Sequence, residues 1–180
     1  MRILKENTIA LVVDYQERLM PVMSNKEELE RKSNILLKGL KALEVPMIIT
    51  QQYTKGLGMT IPSLFESVGT EEYLEKMTFS CFDDEGIKAK IEESGKKCVI
   101  ICGIESHICV LQTCIDLKEA GYTPILVVDC ISSRKESDKE IALLRAKQEG
   151  ICLTTTEAIL FELTRQAGTP TFKEISRLIK

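Results

Sequence analysis

The chain has 180 residues, 44% of them hydrophobic and 28% charged, with 24 basic against 27 acidic side chains for a net charge of −3. A mean hydropathy of −0.01 fits an ordinary globular protein rather than a disordered or membrane one, and the scattered, nearly balanced charge leaves no electrostatic footprint for nucleic acid. A domain of this length buries roughly 70% of the surface its unfolded form exposes, so one domain over residues 1–180 needs neither metal nor disulfides to fold.

Short apolar, β-rich runs alternate with longer stretches of helical period, the pattern of a parallel sheet covered on both faces by helices. Thr8–Asp14 reads as a first buried strand. A helix follows, opened by a Ser24/Glu27 capping box and carrying Leu29, Leu36, Leu40 and Leu43 at helical spacing. Pro46 introduces a second strand, Met47–Gln51. From Gln52 to Gly69 the period fades among Gly56, Gly58 and Pro62, as in a long functional loop.

A short strand at Tyr73–Lys76 and a helix from about Asp84 to Ser94 come next. The clearest strand, Cys98–Gly103, runs at once into a helix over Ser106–Ala120 that stops at Gly121. A fifth strand, Thr123–Asp129, leads to a polar loop with Ser132, Ser133 and Arg134. Ser137 and Glu140 suggest a capped helix to Gln148, followed by a sixth strand at Ile151–Thr154. Two closing helices, the last capped by Thr171 with Glu174, complete an α/β chain with six mostly parallel strands.

The longest apolar runs, Ile9–Val13 and Cys98–Ile104, fall far short of the ~20 residues of a membrane span. Seven cysteines, an odd number set mainly in apolar stretches, read as free thiols in a reducing compartment. Met1–Glu6 does not resemble a signal peptide, so a cytoplasmic protein is expected.

In open α/β sheets ligands bind beyond the carboxyl ends of the strands, which draws attention to Asp14, Gln51, Gln52, Lys76, Glu105 and Asp129. Cys109 lies in the first turn of the helix after the strongest strand. There a helix dipole and free backbone N–H groups lower a thiol pKa and can receive an oxyanion. The same position also suits a small core residue. Asp14 at a strand tip suits a general base or a simple loop cap. Lys76, drawn to the sheet edge, would steady both anions or else be merely solvated. His107, the one histidine, is two residues from Cys109 and so does not face it along a helix. No G-x-S-x-G elbow, P-loop, GxGxxG or CxxC pair is present.

Three segments together, VVDYQ ending at Gln16, EKMTFSCF around Lys76 and GIESHICVLQT around Cys109, resemble the signatures of the isochorismatase-like cysteine hydrolases. QYTKGLG and the C-terminal FKEIS stretch resemble the isochorismatase domain-containing branch. The resemblance implies a three-layer Rossmann-like fold, a catalytic triad of Asp14, Lys76 and Cys109, and a cis peptide between Ile104 and Glu105. It also implies an oxyanion hole from the N–H groups of Glu105 and Cys109. Gln16, Gln52 and Tyr53 are candidate pocket residues for a small-molecule substrate.

Nicotinamidases of this family hold a metal through an aspartate and histidines. A lone histidine therefore argues for no metal and no cofactor, and against nicotinamide as substrate. The expected reaction is hydrolysis of a small amide or related C–N bond. The alternatives are an isochorismatase-type vinyl-ether hydrolase, which needs no cysteine, and a non-catalytic scaffold. A homo-oligomer is expected, through apolar surface around Leu111 or in the C-terminal segment, with no nucleic-acid or membrane partner.

Overall fold

The computed structural model describes residues 1–180. Six parallel strands form one sheet: β1 (Thr8–Val13), β2 (Met47–Gln52), β3 (Leu74–Lys76), β4 (Cys98–Ile104), β5 (Thr123–Ser132) and β6 (Cys152–Thr154), in the spatial order β3-β2-β1-β4-β5-β6. Every residue of β1 and β4 is buried. This follows from covering both faces of a parallel sheet, and it is why these strands read as unbroken apolar runs.

Alternate residues of the central strands feed two separate cores. Ala10, Val12, Ile100 and Cys102 point to one side with α1 (Lys26–Ala42), α3 (Pro62–Val68), α7 (Thr156–Thr164) and α8 (Pro170–Ile179). Ile9, Leu11, Val13, Val99 and Ile101 point to the other with α4 (Glu85–Glu93), α5 (Leu111–Glu119) and α6 (Glu136–Gln148). The result is the three-layer α/β architecture the alternation predicts. No helix is long and apolar enough to cross a membrane.

Several boundaries differ from the sequence reading. The loop after β2 contains two short helices, α2 (Thr54–Leu57) and α3. β5 runs three residues past Asp129, with a register shift against β4 between Ile101 and Gly103. None of the three capping boxes forms as expected. Asn25, in a left-handed conformation, precedes α1, and Ser24 instead donates to Glu136 Oε2 at 2.8 Å. Lys135 precedes α6, so Ser137 lies inside it. Thr169 caps α8 because Pro170 takes the first helical position, which suits its fixed φ and missing N–H. Of the surfaces expected for self-association, Leu111 itself is buried, while Leu178 and Ile179 near the C-terminus pack against the core and remain partly exposed.

A close backbone approach lies next to the site. Gly103, with φ +139°, pairs with Val13, and a side chain there would meet the Val13 carbonyl oxygen at 2.2 Å. Glycine thus lets the ends of β1 and β4 come together.

Candidate active site

The sheet order places the ends of β3, β2, β1 and β4 side by side, so Lys76, Gln52, Asp14 and Glu105 line one carboxyl edge. Asp14 follows β1 with a left-handed φ of 54°, strained for a non-glycine residue. Its N–H donates to the Thr50 carbonyl at 3.2 Å, and its Oδ1 accepts from the Thr50 hydroxyl at 2.8 Å.

Asp14 Oδ2 lies 2.7 Å from Lys76 Nζ, and both side chains are fully buried. The ammonium is hydrogen-bonded to Gln52 Oε1 (2.7 Å) and to the carbonyls of Thr78 (3.1 Å) and Phe79 (3.0 Å). Beyond this ion pair Asp14 Oδ2 has no other partner within the chain, which leaves it a lone pair for a further donor. Burial works against the Lys76 charge, but the Asp14 carboxylate leads a set of neighbours that outweigh it, and the lysine holds its proton more tightly than usual.

Cys109 sits on a π turn, Ser106–Val110, between β4 and α5. The N–H groups of Ile108 and Val110 both donate to the Glu105 carbonyl, at 3.1 and 3.3 Å, and neither bond uses the N–H of Cys109. π turns of this kind often occur at functional sites. The peptide between Ile104 and Glu105 is cis.

The electrostatics correct the expectation of a lowered thiol pKa. Burial first, and the Asp14 carboxylate second, push Cys109 up to about 12 against the pull of Lys76. Desolvation overrides the helix dipole because the sulfur is enclosed rather than held at an open helix end. At neutral pH Cys109 is a thiol beside the Asp14 carboxylate.

Other expected residues take different roles. Gln16 is fully buried, and its amide is occupied: Nε2 donates to the carbonyls of Gln52 (2.9 Å) and Gly58 (2.8 Å), while Oε1 accepts from Gln52 N–H at 2.7 Å. It braces the loop. Gln52 joins the site through Lys76, and Tyr53 lies half exposed with its ring over Gly56. Asp129 is removed from the edge by the extension of β5. It binds the N–H and hydroxyl of Thr156 at 2.8 and 3.0 Å. His107 turns away from Cys109, with Nδ1 2.9 Å from the Ser133 hydroxyl. No group of three or more His, Cys, Asp or Glu side chains is arranged to hold a metal ion.

Sequence reasoning missed Thr50, Cys81 and Thr113. Thr113 Oγ1 donates to the Cys109 carbonyl at 2.6 Å and accepts from Cys81 N–H at 2.8 Å, tying the segment after Lys76 to the cysteine turn. Cys81, pushed up to about 11 by burial and by Asp14, lies 3.8 Å from Thr50 Oγ1. Thr50 was findable as the β2 residue paired with Val13; nothing local marks Thr113.

Comparison with known proteins matches residues 8–158 to the Isochorismatase domain. The chain belongs to the isochorismatase family. Mouse isochorismatase domain-containing protein 2A is 34% identical over 181 residues, covering 99% of this chain and 85% of that protein. The solved structure of the MAR1 ribonuclease from Caenorhabditis elegans superposes with a TM-score of 0.92 at 36% identity, covering 99% of this chain and 92% of that one. An octameric hydrolase of unknown specificity from Escherichia coli shares the isochorismatase-family fold with a TM-score of 0.92 at 22% identity, covering 99% and 90%.

Proposed function

We propose that this protein is a cysteine hydrolase of a small amide or related C–N bond, without a metal, in which Cys109 is the nucleophile and Asp14 the general base and acid. The observation that carries the reading is the fully buried Asp14–Lys76 pair, whose free Oδ2 lone pair stands beside a thiol that burial keeps protonated. As Cys109 Sγ bonds to the carbonyl carbon, Asp14 takes the thiol proton and then delivers it to the departing nitrogen. Water, deprotonated by the same carboxylate, cleaves the thioester and restores the thiol. Lys76 pairs with the Asp14 carboxylate and favours the thiolate as it forms. The N–H groups of Glu105 and Cys109 receive the developing oxyanion.

The Caenorhabditis elegans neighbour is named a ribonuclease. This chain's net charge of −3, scattered along its length, favours a small-molecule substrate over RNA. Self-association belongs to the same reading. The Escherichia coli neighbour is octameric, and α6 presents Ile141 and Leu144 to solvent, 65% and 58% exposed.

The test is acylation by p-nitrophenyl acetate, followed by nitrophenolate release and peptide mass spectrometry. A burst of one nitrophenolate per site with acetyl on Cys109, lost in Cys109→Ala, is expected. Absence of acetyl on Cys109 in the folded protein would reject the nucleophile in favour of a scaffold. Substrate turnover surviving Cys109→Ala would favour the ether-cleaving chemistry.

A further inference from the structure

Two buried side-chain polar atoms stand out: Ser106 Oγ has no hydrogen-bond partner in the chain, and Asp14 Oδ2 has only its ion pair with Lys76. They are not scattered. Asp14 follows the tip of β1, Ser106 stands just past the tip of β4, and these strands pair up to Val13–Gly103. Ser106 opens the π turn that carries Cys109, and it is 1% exposed. Buried hydroxyls are almost always satisfied, so an orphan needs a reason. The neighbouring hydroxyls all have partners: Ser132 donates to the Ser24 carbonyl at 2.7 Å, Ser133 meets His107 at 2.9 Å and Thr113 meets Cys109.

Asp14 Oδ2 has an evident use as the acceptor of the thiol proton. Ser106 Oγ is its counterpart, a free donor at the same edge. We infer that Ser106 is a substrate-contacting residue whose hydroxyl donates to the carbonyl oxygen of the substrate as that oxygen becomes negative, alongside the backbone N–H donors. The inference rests on the cysteine hydrolase reading and deepens it: the substrate must present an acceptor oxygen on the carbon that Cys109 attacks. A hydroxyl with no partner in the chain makes no bond that stabilises the fold, so in this assignment its contribution falls on the reaction rather than on the fold.

Two thiol reagents separate this role from a general effect on the cysteine. In acrylamide addition, Cys109 Sγ bonds to the terminal CH2, the double-bond pair moves towards the amide and charges its oxygen, and the proton passes from the thiol through Asp14 to the α-carbon. Methyl methanethiosulfonate transfers its methylthio group to the thiolate and releases methanesulfinate, with no carbonyl oxygen involved. Rates at Cys109 are followed by peptide mass spectrometry, with the exposed Cys152 as reference within each molecule.

Ser106→Ala is expected to slow acrylamide at Cys109 by about tenfold or more, since one oxyanion donor contributes roughly 10²–10³ in an optimised site. Its methanethiosulfonate rate stays within about threefold of wild type and its melting temperature does not fall. Ser106→Thr, which keeps the hydroxyl, stays near wild type with both reagents. Equal acrylamide rates in Ser106→Ala and wild type, equal slowing by both reagents, or slowing of Ser106→Thr to the Ser106→Ala level would overturn the assignment. So would a clear loss of melting temperature in Ser106→Ala, which would reveal a structural partner. If wild-type Cys109 takes up neither reagent while Cys152 does, the cysteine mechanism itself fails; if Cys109 reacts with methanethiosulfonate and only the acrylamide comparison fails, Ser106 alone is withdrawn.

Discussion

Asp14 Oδ2 and Lys76 Nζ are 2.7 Å apart and fully buried, and the ammonium is also hydrogen-bonded to Gln52, Thr78 and Phe79. The pair is held by charge, and the carboxylate stays open to another proton donor. Removing one partner strands a buried charge, at a cost of about 3–5 kcal/mol. Lys76→Met and Asp14→Asn are each expected to destabilise by that order, and the double variant by clearly less than their sum. Urea unfolding of the four proteins gives the coupling energy; strict additivity would mean that the two charges do not depend on each other.

Asp14→Asn has a second, opposite effect on the thiol. Asp14 raises the Cys109 pKa and Lys76 lowers it, so loss of the carboxylate favours the thiolate even as it removes the general base. The midpoint for Cys109 alkylation against pH is expected to shift down from about 12 in Asp14→Asn, while acyl transfer falls by about 10² or more. An upward shift would contradict the placement of that charge beside the sulfur.

Alkali should weaken the fold. Burial first holds Cys81 up to about 11, and Cys102 and Cys109 up to about 12, against an ordinary 9.0. Each raised value means that the native chain keeps a proton the unfolded chain releases, so this stability is whole below pH 9 and is lost as pH climbs towards 12. Lys76, raised above 10.5, acts with the same sign at the upper end of that window. Urea midpoints are expected to be level from about pH 7 to about pH 8.5 and to fall by about pH 10.5. A level midpoint throughout would show that these thiols ionise as freely folded as unfolded.

The sheet and the strand-tip residues were legible because parallel strands buried on both faces leave long apolar runs, and the polar residue ending each run marks the ligand edge. Asp14, Lys76 and Glu105 follow from that rule, and so does the false candidate Asp129, whose strand continues through Cys130 and Ile131 into Ser132. The helix starts were less legible. Ser24, Ser137 and Thr171 each have the right neighbour three residues on, but tertiary contacts and Pro170 decided the boundaries. The thiol's ionisation was misjudged because enclosure is a property of the packed site, which local sequence does not report.

Thr113 links two chain segments through one oxygen, which donates to Cys109 O at 2.6 Å and accepts from Cys81 N–H at 2.8 Å. Thr113→Val keeps the shape and leaves the Cys81 N–H without its partner in a buried setting, at about 1–3 kcal/mol. A loss of that order is expected by urea unfolding, with Thr113→Ser close to wild type. Acylation of Cys109 should also slow in Thr113→Val, because the turn loses its tie to the segment that holds Lys76. Equal stability of the Val and Ser variants would mean that neither bond matters.

Helix α6 buries Ala142 and Ala146 and turns Ile141 and Leu144 outward, 65% and 58% exposed. Three residues apart, the two exposed side chains share one face. Their burial against a second copy would remove apolar surface worth roughly 25 cal/mol per Å². The same helix packs on the Cys109 turn, so a contact there would also stiffen the site. Ile141→Glu with Leu144→Glu is expected to lower the mass measured by light scattering while leaving the melting temperature of the separated chain unchanged, since neither side chain supports its own core. A wild-type monomer, or an assembly unmoved by both charges, would place any association on another face and detach it from the active-site turn.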